Sequence, residues 1–307
     1  MIDTPPPALP NRPRISNPFG NWIGVAPFFL FILAFLIIPS LNLFIGAFQD
    51  AQGNFTFANI VSLLDPYVLK SYGVSLQVSL ITSLVGGVFG FFVAYAVTIG
   101  KSPRWMRNII MTFSGLAAKF GGVPLAFAFI ATIGHTGFLT ALLKQVCFPE
   151  AGGAQVCPFD IYQDGFNLYS ITGLTLTYLY FQFPLMVLTI APALDGLKKE
   201  WREASENLGA NARQYWWHVA LPVLLPSILG SSILLFASAF GAFATAQALT
   251  GGSIYLVTIL IGQQIRGDVL NNPNEGYALA LGMVVVMGVC VTGYTILQRR
   301  TVRWLKS

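Results

Sequence analysis

Stretches of twenty or more residues with almost no charge recur along this chain, and no other feature limits its folding as tightly. A helix rising about 1.5 Å per residue needs about twenty apolar residues to match the roughly 30 Å hydrocarbon core of a bilayer. The 307 residues are 55% hydrophobic and 9% charged. A soluble domain could fill its core with less apolar residue than this and could not hide the rest. The chain therefore reads as all-α and polytopic, with its backbone polar groups satisfied inside membrane helices.

Six spans are predicted, at about residues 22–48, 72–99, 107–118, 169–194, 219–248 and 276–297. The third region is irregular. Lys119-Phe120-Gly121-Gly122-Val123-Pro124 interrupts it, and Gly with Pro favours a break. A second apolar piece follows at residues 125–133. Two short pieces with a charge between them fit one span ending near the outer surface and a short extra helix returning along it. A single kinked helix, or two spans, are the alternatives left open. The expected fold is six transmembrane helices with a short extra helix after the third.

Residues 1–20 are Pro-rich and carry Arg12 and Arg14, which suits a flexible tail. The apolar run at 22–48 is too long for a signal-peptide core and reads as a retained span. Residues 21–307 are expected to form a single transmembrane domain. Thirteen of the seventeen basic residues fall in segments that share one side if the N-terminus is inside. Lys70, Lys119, Lys144 and Arg266 are the other four. This asymmetry predicts cytoplasmic N- and C-termini. The segments near 50–70, 134–168 and 249–275 then face outward. Cys147 and Cys157 lie in the second of these, where a disulfide can persist, although spacing alone does not bring two cysteines together.

One inward loop, residues 195–218, collects an unusual share of the polar residues. Helix formers run from Lys198 to Leu208, Gly209 suits a helix C-terminal turn, and Asn211 suits the cap of a second helix. Tyr215, Trp216 and Trp217 mark a membrane interface. Glu203, Ala204 and Ser205 are followed after three residues by Gly209, and after nine more by Val219, Leu221 and Pro222. A basic interfacial helix explains the charges and aromatics but not this spacing.

The spacing resembles the signature of permease subunits of ATP-binding-cassette importers: E-A-A, three residues, G, nine residues, I-x-L-P. Ser205 and Val219 are mild departures from it. The resemblance, with its six spans, extends over nearly the whole chain. It implies that the first short helix of the loop docks on a cytoplasmic ATPase subunit. Ala204 and Ser205 would let it seat closely, Glu203 would anchor it, and Gly209 would permit the turn that presents it. Leu221 and Pro222 complete the motif. It also implies four kinds of part: this permease, a second permease that is a copy or paralogue, two ATPase subunits and an extracytoplasmic solute-binding protein. The binding protein is expected to dock on the outer loops. ATP and Mg would be held by the ATPase partners, so the chain itself is expected to be neither an enzyme nor a holder of cofactors. A bacterial inner membrane is the implied location.

Within the family, the style most resembles the spermidine/putrescine importer group, through the Pro-rich tail, the run 27–39 and the segment 244–252. That group includes importers for aminoethylphosphonate and other small solutes. A polyamine would want carboxylates along its path, and no predicted span has an interior carboxylate. Candidate pathway residues are Lys119, Tyr178, Gln182, Thr245 and Gln247. Lys119 either snorkels to the interface or faces the path, where it would favour an anionic or zwitterionic solute. Gly86 and Gly90, and Ala237, Gly241 and Thr245, recur every four residues as helix-packing positions do.

Gly100-Lys101-Ser102 ends like a phosphate-binding loop, but the first glycine of that motif would fall at Tyr95 and the segment leaves a span instead of a strand. His135 and His218 fall on opposite sides and share no metal site; the net charge of +5 follows orientation and is no footprint of nucleic acid. An ion-gradient-driven secondary transporter is the competing class. It would be expected to show inverted repeats or intramembrane carboxylates.

Overall fold

The computed structural model describes residues 18–100, 102–144, 148–149, 155–156, 162, 165–266 and 272–304. Cys147 and Cys157, the expected disulfide pair, lie outside these residues. The chain runs through α1 (Pro18–Ile32), α2 (Ile38–Ala47), α3 (Ala58–Val61), α4 (Pro66–Thr98), α5 (Arg104–Ala117), α6 (Val123–Ile133) and α7 (Phe138–Lys144). A two-residue hairpin follows, β1 (Phe148–Pro149) antiparallel to β2 (Gln155–Val156). Then come α8 (Ile171–Asp195), α9 (Lys199–Asn207), α10 (Ala212–Tyr215), α11 (Leu221–Phe240), α12 (Ala244–Thr250), α13 (Val257–Arg266) and α14 (Pro273–Trp304). Six segments are long and apolar enough to cross a bilayer: Val25–Ala47, Pro66–Thr98, Val123–Lys144, Ile171–Asp195, Ala212–Phe240 and Pro273–Gln298.

Prolines set many of the boundaries. Pro66 opens α4 after an extended Asp65, and Pro124 lies in the first turn of α6. In both places the missing N–H is one that no intrahelical bond would use. Two other prolines act differently. Pro39 follows a π-helical turn at Leu33–Ile37, and Pro222 follows one at Trp216–Ala220. A proline ring collides with the carbonyl four residues back, here Phe35 or His218, and the helix widens locally to accommodate it.

The core is built on α4 and α8. Level with one another along the pair are Val78 and Tyr178, Gly86 and Gln182, Gly90 and Met186, and Ala94 and Ile190, so the two helices run parallel. They touch at glycine. A Cβ on Gly86 would sit 2.7 Å from the Gln182 Cβ, and one on Gly90 would sit 2.7 Å from the Phe183 carbonyl oxygen. Buried hydroxyls satisfy themselves by bonding back along their helices, as Ser79 does to the Ser75 carbonyl and Thr177 to that of Gly173. α11 packs antiparallel to both, bringing Leu224 against Ala94 and Ile190, while α14 packs on α11, α13 and α2. α8 is the central helix: 56% of its most apolar window is buried, against none for the first span and 6% for the last. The peripheral faces are apolar and exposed, as at Leu30, Phe35, Leu84 and Val289, and suit a lipid surround.

Because α4 and α8 are parallel, the chain between them must return once. The third crossing consists of α5 and α6 in series, not of a span at 107–118 with a helix turning back along the surface. Against α8, Arg107 meets Asp195, Phe120 meets Tyr180, and His135 stacks near Tyr169. The pairing is antiparallel throughout. At about 1.5 Å per residue, fourteen-residue α5 covers only about 21 Å, too short for a roughly 30 Å core, and α6 completes the passage. The short extra helix after the third span is α7. The fifth span also differs from expectation: it stops at Phe240, and α12 is a separate helix beyond Gly241–Phe243. α13 was not foreseen in the loop before the sixth span.

Candidate functional site

Two regions stand apart from ordinary helix packing. The first is the connection between α8 and α11. α9 begins after an extended Lys198, with Glu200 in its first turn, where a carboxylate complements the helix dipole. It ends in a Schellman motif. The Gly209 N–H bonds the Glu206 carbonyl, the Ala210 N–H bonds that of Ser205, and Gly209 has φ +80°, a conformation that favours glycine. Asn211 then caps α10: its side chain accepts from the Gln214 N–H at 2.9 Å while its own N–H donates to the Gln214 side chain at 2.8 Å. The Trp216 ring meets Tyr95 edge-on at 5.1 Å, which fixes the second half of the loop to the end of α4.

The residues of the sequence motif separate by environment. Glu203 and Ala204 are exposed on α9, as are Trp201 and Leu208, the last at 89%. Ser205 is buried and donates to the Arg202 carbonyl at 2.7 Å. Leu221 and Pro222 are half-buried at the start of α11, where Pro222 is coupled to the π-helical turn. The loop thus presents a short, rigidly terminated helix with an exposed apolar and acidic face.

The second region lies at the level of Tyr178 and Tyr180, inside the bundle. Here the third crossing breaks at Ala118–Gly122 and the fifth at Gly241–Phe243, side by side. The Gly122 N–H donates to the Thr245 hydroxyl at 2.8 Å, and Gly122 has φ +73°. The Tyr178 hydroxyl donates to the Ala242 carbonyl at 2.9 Å. Gln182, fully buried, donates to the Leu235 carbonyl at 2.9 Å. Of the five pathway candidates, Tyr178, Thr245 and Gln182 are buried and brace α11, α12 and the breaks; Gln247 is half-buried and Lys119 is exposed in the first break. Arg266, read in the sequence only as an outer-loop charge, stacks on Phe243 of the second break with its guanidinium carbon 5.3 Å from the ring centre. The sequence signal that could have found it is the GlyAlaPhe step at 241–243, which was read as continuous helix.

At the end of the bundle opposite α9, Phe48, Phe55 and Phe57 form a cluster, with Phe55 and Phe57 exposed. Asp50 folds that loop by accepting from the Gln52 and Asn54 amides, and these bonds hold its carboxyl below the usual range.

Residues 86–307 match the family described as binding-protein-dependent transport system inner membrane component. A spermidine/putrescine transport system permease protein of Haemophilus influenzae is 26% identical, over 91% of this chain and 94% of its own length. A chloroplastic sulfate permease of Chlamydomonas reinhardtii is 27% identical over 78% of this chain, which spans 60% of that protein's length. A crystal structure of a bacterial ABC transporter that imports alginate shares the fold, with a TM-score of 0.69 at 16% identity, covering 93% of this chain and 97% of the matched chain.

Proposed function

The chain belongs to the family of inner membrane components of binding-protein-dependent transport systems, and from that premise we propose that it is the permease subunit of an ATP-driven importer for a small polar solute. The observation that carries this reading is α9: a short helix held out from an apolar bundle, with Glu203, Ala204 and Leu208 exposed and a glycine turn fixing its end. Such a helix is suited to seat in a cleft of a separate ATPase subunit, and closure of two such subunits on ATP and Mg would bias the bundle between two states. Hydrolysis belongs to those partners.

On this reading α9 is cytoplasmic, as are both termini, in a bacterial inner membrane. Lys198, Lys199, Arg202, Arg213, Arg104 and Arg107 cluster at that end and favour the orientation. A second permease, a paralogue of this chain, would complete the path. The far end, with its Phe55 and Phe57 cluster, would receive an extracytoplasmic solute-binding protein. The solute is either a polyamine or an anionic or zwitterionic molecule such as an aminoethylphosphonate. The polyamine reading draws on the spermidine/putrescine relative; the second draws on exposed Lys119 and on spans without an interior carboxylate among the described residues. The same lack of carboxylates disfavours ion-coupled secondary transport.

The test is gentle solubilisation from the native host, followed by mass spectrometry of what co-purifies and an ATPase assay. An ATPase and a second permease are expected. Recovery of this chain alone at full yield, without associated ATPase activity, would overturn the reading in favour of an ion-driven transporter.

A further inference from the structure

We propose that the paired helix breaks form an anion-binding position in the translocation path, with Lys119 and Arg266 as its selecting charges and a small oxyanion as its ligand. This rests on the permease reading and adds the substrate class to it.

Depth is the first argument. Lys119 sits in the break, between α5 and α6. At about 1.5 Å per residue, about 21 Å of helix separates it from one end of the crossing and about 17 Å from the other. Lys119 therefore stands well inside the crossing, away from both of its ends. A cation at such depth faces a bundle interior or a water-filled cavity. Lys119 is exposed on the isolated chain and makes no ion pair among the described residues. The surface it borders is therefore one that lipid does not cover in the assembly.

Backbone is the second argument. Two neighbouring crossings are interrupted at one level and joined through Gly122 and Thr245. Irregular backbone at membrane depth survives only inside protein or along a water-filled cavity. The exposed side of this junction carries Lys119, Phe120 and Val123.

Charge is the third. Arg266 stands over Phe243 on the edge of the second break, so each break has one cation beside it. Among the described residues no ion pair joins a carboxylate to Lys119 or Arg266; Glu275 is the acidic residue nearest in the fold to Arg266, next to Gly276, which packs on Gln264 and Ile265. A cationic solute would meet repulsion from Lys119, which has no carboxylate partner among the described residues. A sulfate, phosphate or phosphonate group would meet attraction, in surroundings drier than water that strengthen it.

The experiment places single cysteines at Val123 and Phe120 in the full chain, co-purified with whatever partners it retains and set in lipid vesicles, with the parent chain as background. Each is reacted with an anionic sulfonatoethyl and a cationic trimethylammonium-ethyl methanethiosulfonate, with and without ATP, and the rate ratio is divided by that of a free thiol. A ratio favouring the anion by about tenfold is expected, as one charge at close range gives even with strong screening. It should fall to about unity in Lys119→Gln and persist in Lys119→Arg. A ratio near unity with Lys119 in place, or no reaction with either reagent in any nucleotide state, overturns the proposal. The two failures are distinguishable: absence of a co-purifying ATPase would sink the permease assignment, whereas a labelling ratio near unity would sink only the anion position.

Discussion

The amide of Gly122 donates to the hydroxyl of Thr245 at 2.8 Å, and this single bond ties the interruption of one crossing to the first turn of the helix that follows another. The Tyr178 hydroxyl anchors the same neighbourhood from the central helix through Ala242. In the single chain Thr245 and Tyr178 brace irregular backbone.

Thr245→Val keeps the shape of the side chain and removes the acceptor. Thr245 is buried, so the Gly122 N–H loses its partner where little replaces it. A loss of about 1–3 kcal/mol is expected, with a lower thermal unfolding midpoint in detergent and reduced uptake. Thr245→Ser should stay close to the parent; an equal loss in both variants would argue against the hydroxyl as the brace.

Gly90→Ala should destabilise the bundle by about 1–3 kcal/mol through overpacking, outweighing the helix propensity gained. Its Cβ would strike the Met186 Cβ at 2.6 Å and the backbone oxygen of Phe183 at 2.7 Å, neither of which can rotate away. Gly87→Ala, whose nearest neighbour would be a Leu235 methyl at 3.9 Å, serves as the tolerated control. Thermal unfolding of the two proteins side by side measures the difference.

Glu203→Lys should abolish uptake while the protein remains in the membrane at its normal level. Gly209→Val acts on the same helix from within, since φ +80° strains a β-branched residue by about 1–2 kcal/mol. It should weaken the stimulation of ATPase activity more than it lowers abundance. Uptake at the parent rate in Glu203→Lys would remove α9 as the docking helix.

Arg107 and Asp195 meet at 2.6 Å, yet their side chains are 39% and 45% exposed. A double-mutant cycle should therefore give a coupling of about 1 kcal/mol or less, shrinking as salt is added. A larger, salt-insensitive value would mean that the pair is shielded in the assembled protein.

The crossings were legible because length and apolarity report directly on a bilayer, and the α9 turn because Gly209 and Asn211 have narrow conformational uses. The third crossing was harder. Lys119 and Gly121-Gly122 announced an interruption, but whether the chain then turned back or went on depends on the parallel packing of α4 and α8, which is a tertiary fact. Gly241-Ala242-Phe243 gave a weaker signal, since apolar residues continue through it and one glycine is tolerated within a helix. α13 was hidden for a related reason: Val257–Arg266 is too short to span and has a mixed polar composition. The burial of Tyr178 and Thr245 was not legible, because a sequence does not show which side of a helix is covered.

A continuous helix is a rod, and a rod delivers at one end whatever displacement it receives at the other. The third crossing is two rods meeting at a joint, the fifth meets α12 at another, and the joints are pinned together by the Gly122 amide. A displacement of one joint is therefore shared by the other, and α6 and α12 are held as a pair. Two breaks that could each have moved alone are made one, beside Lys119.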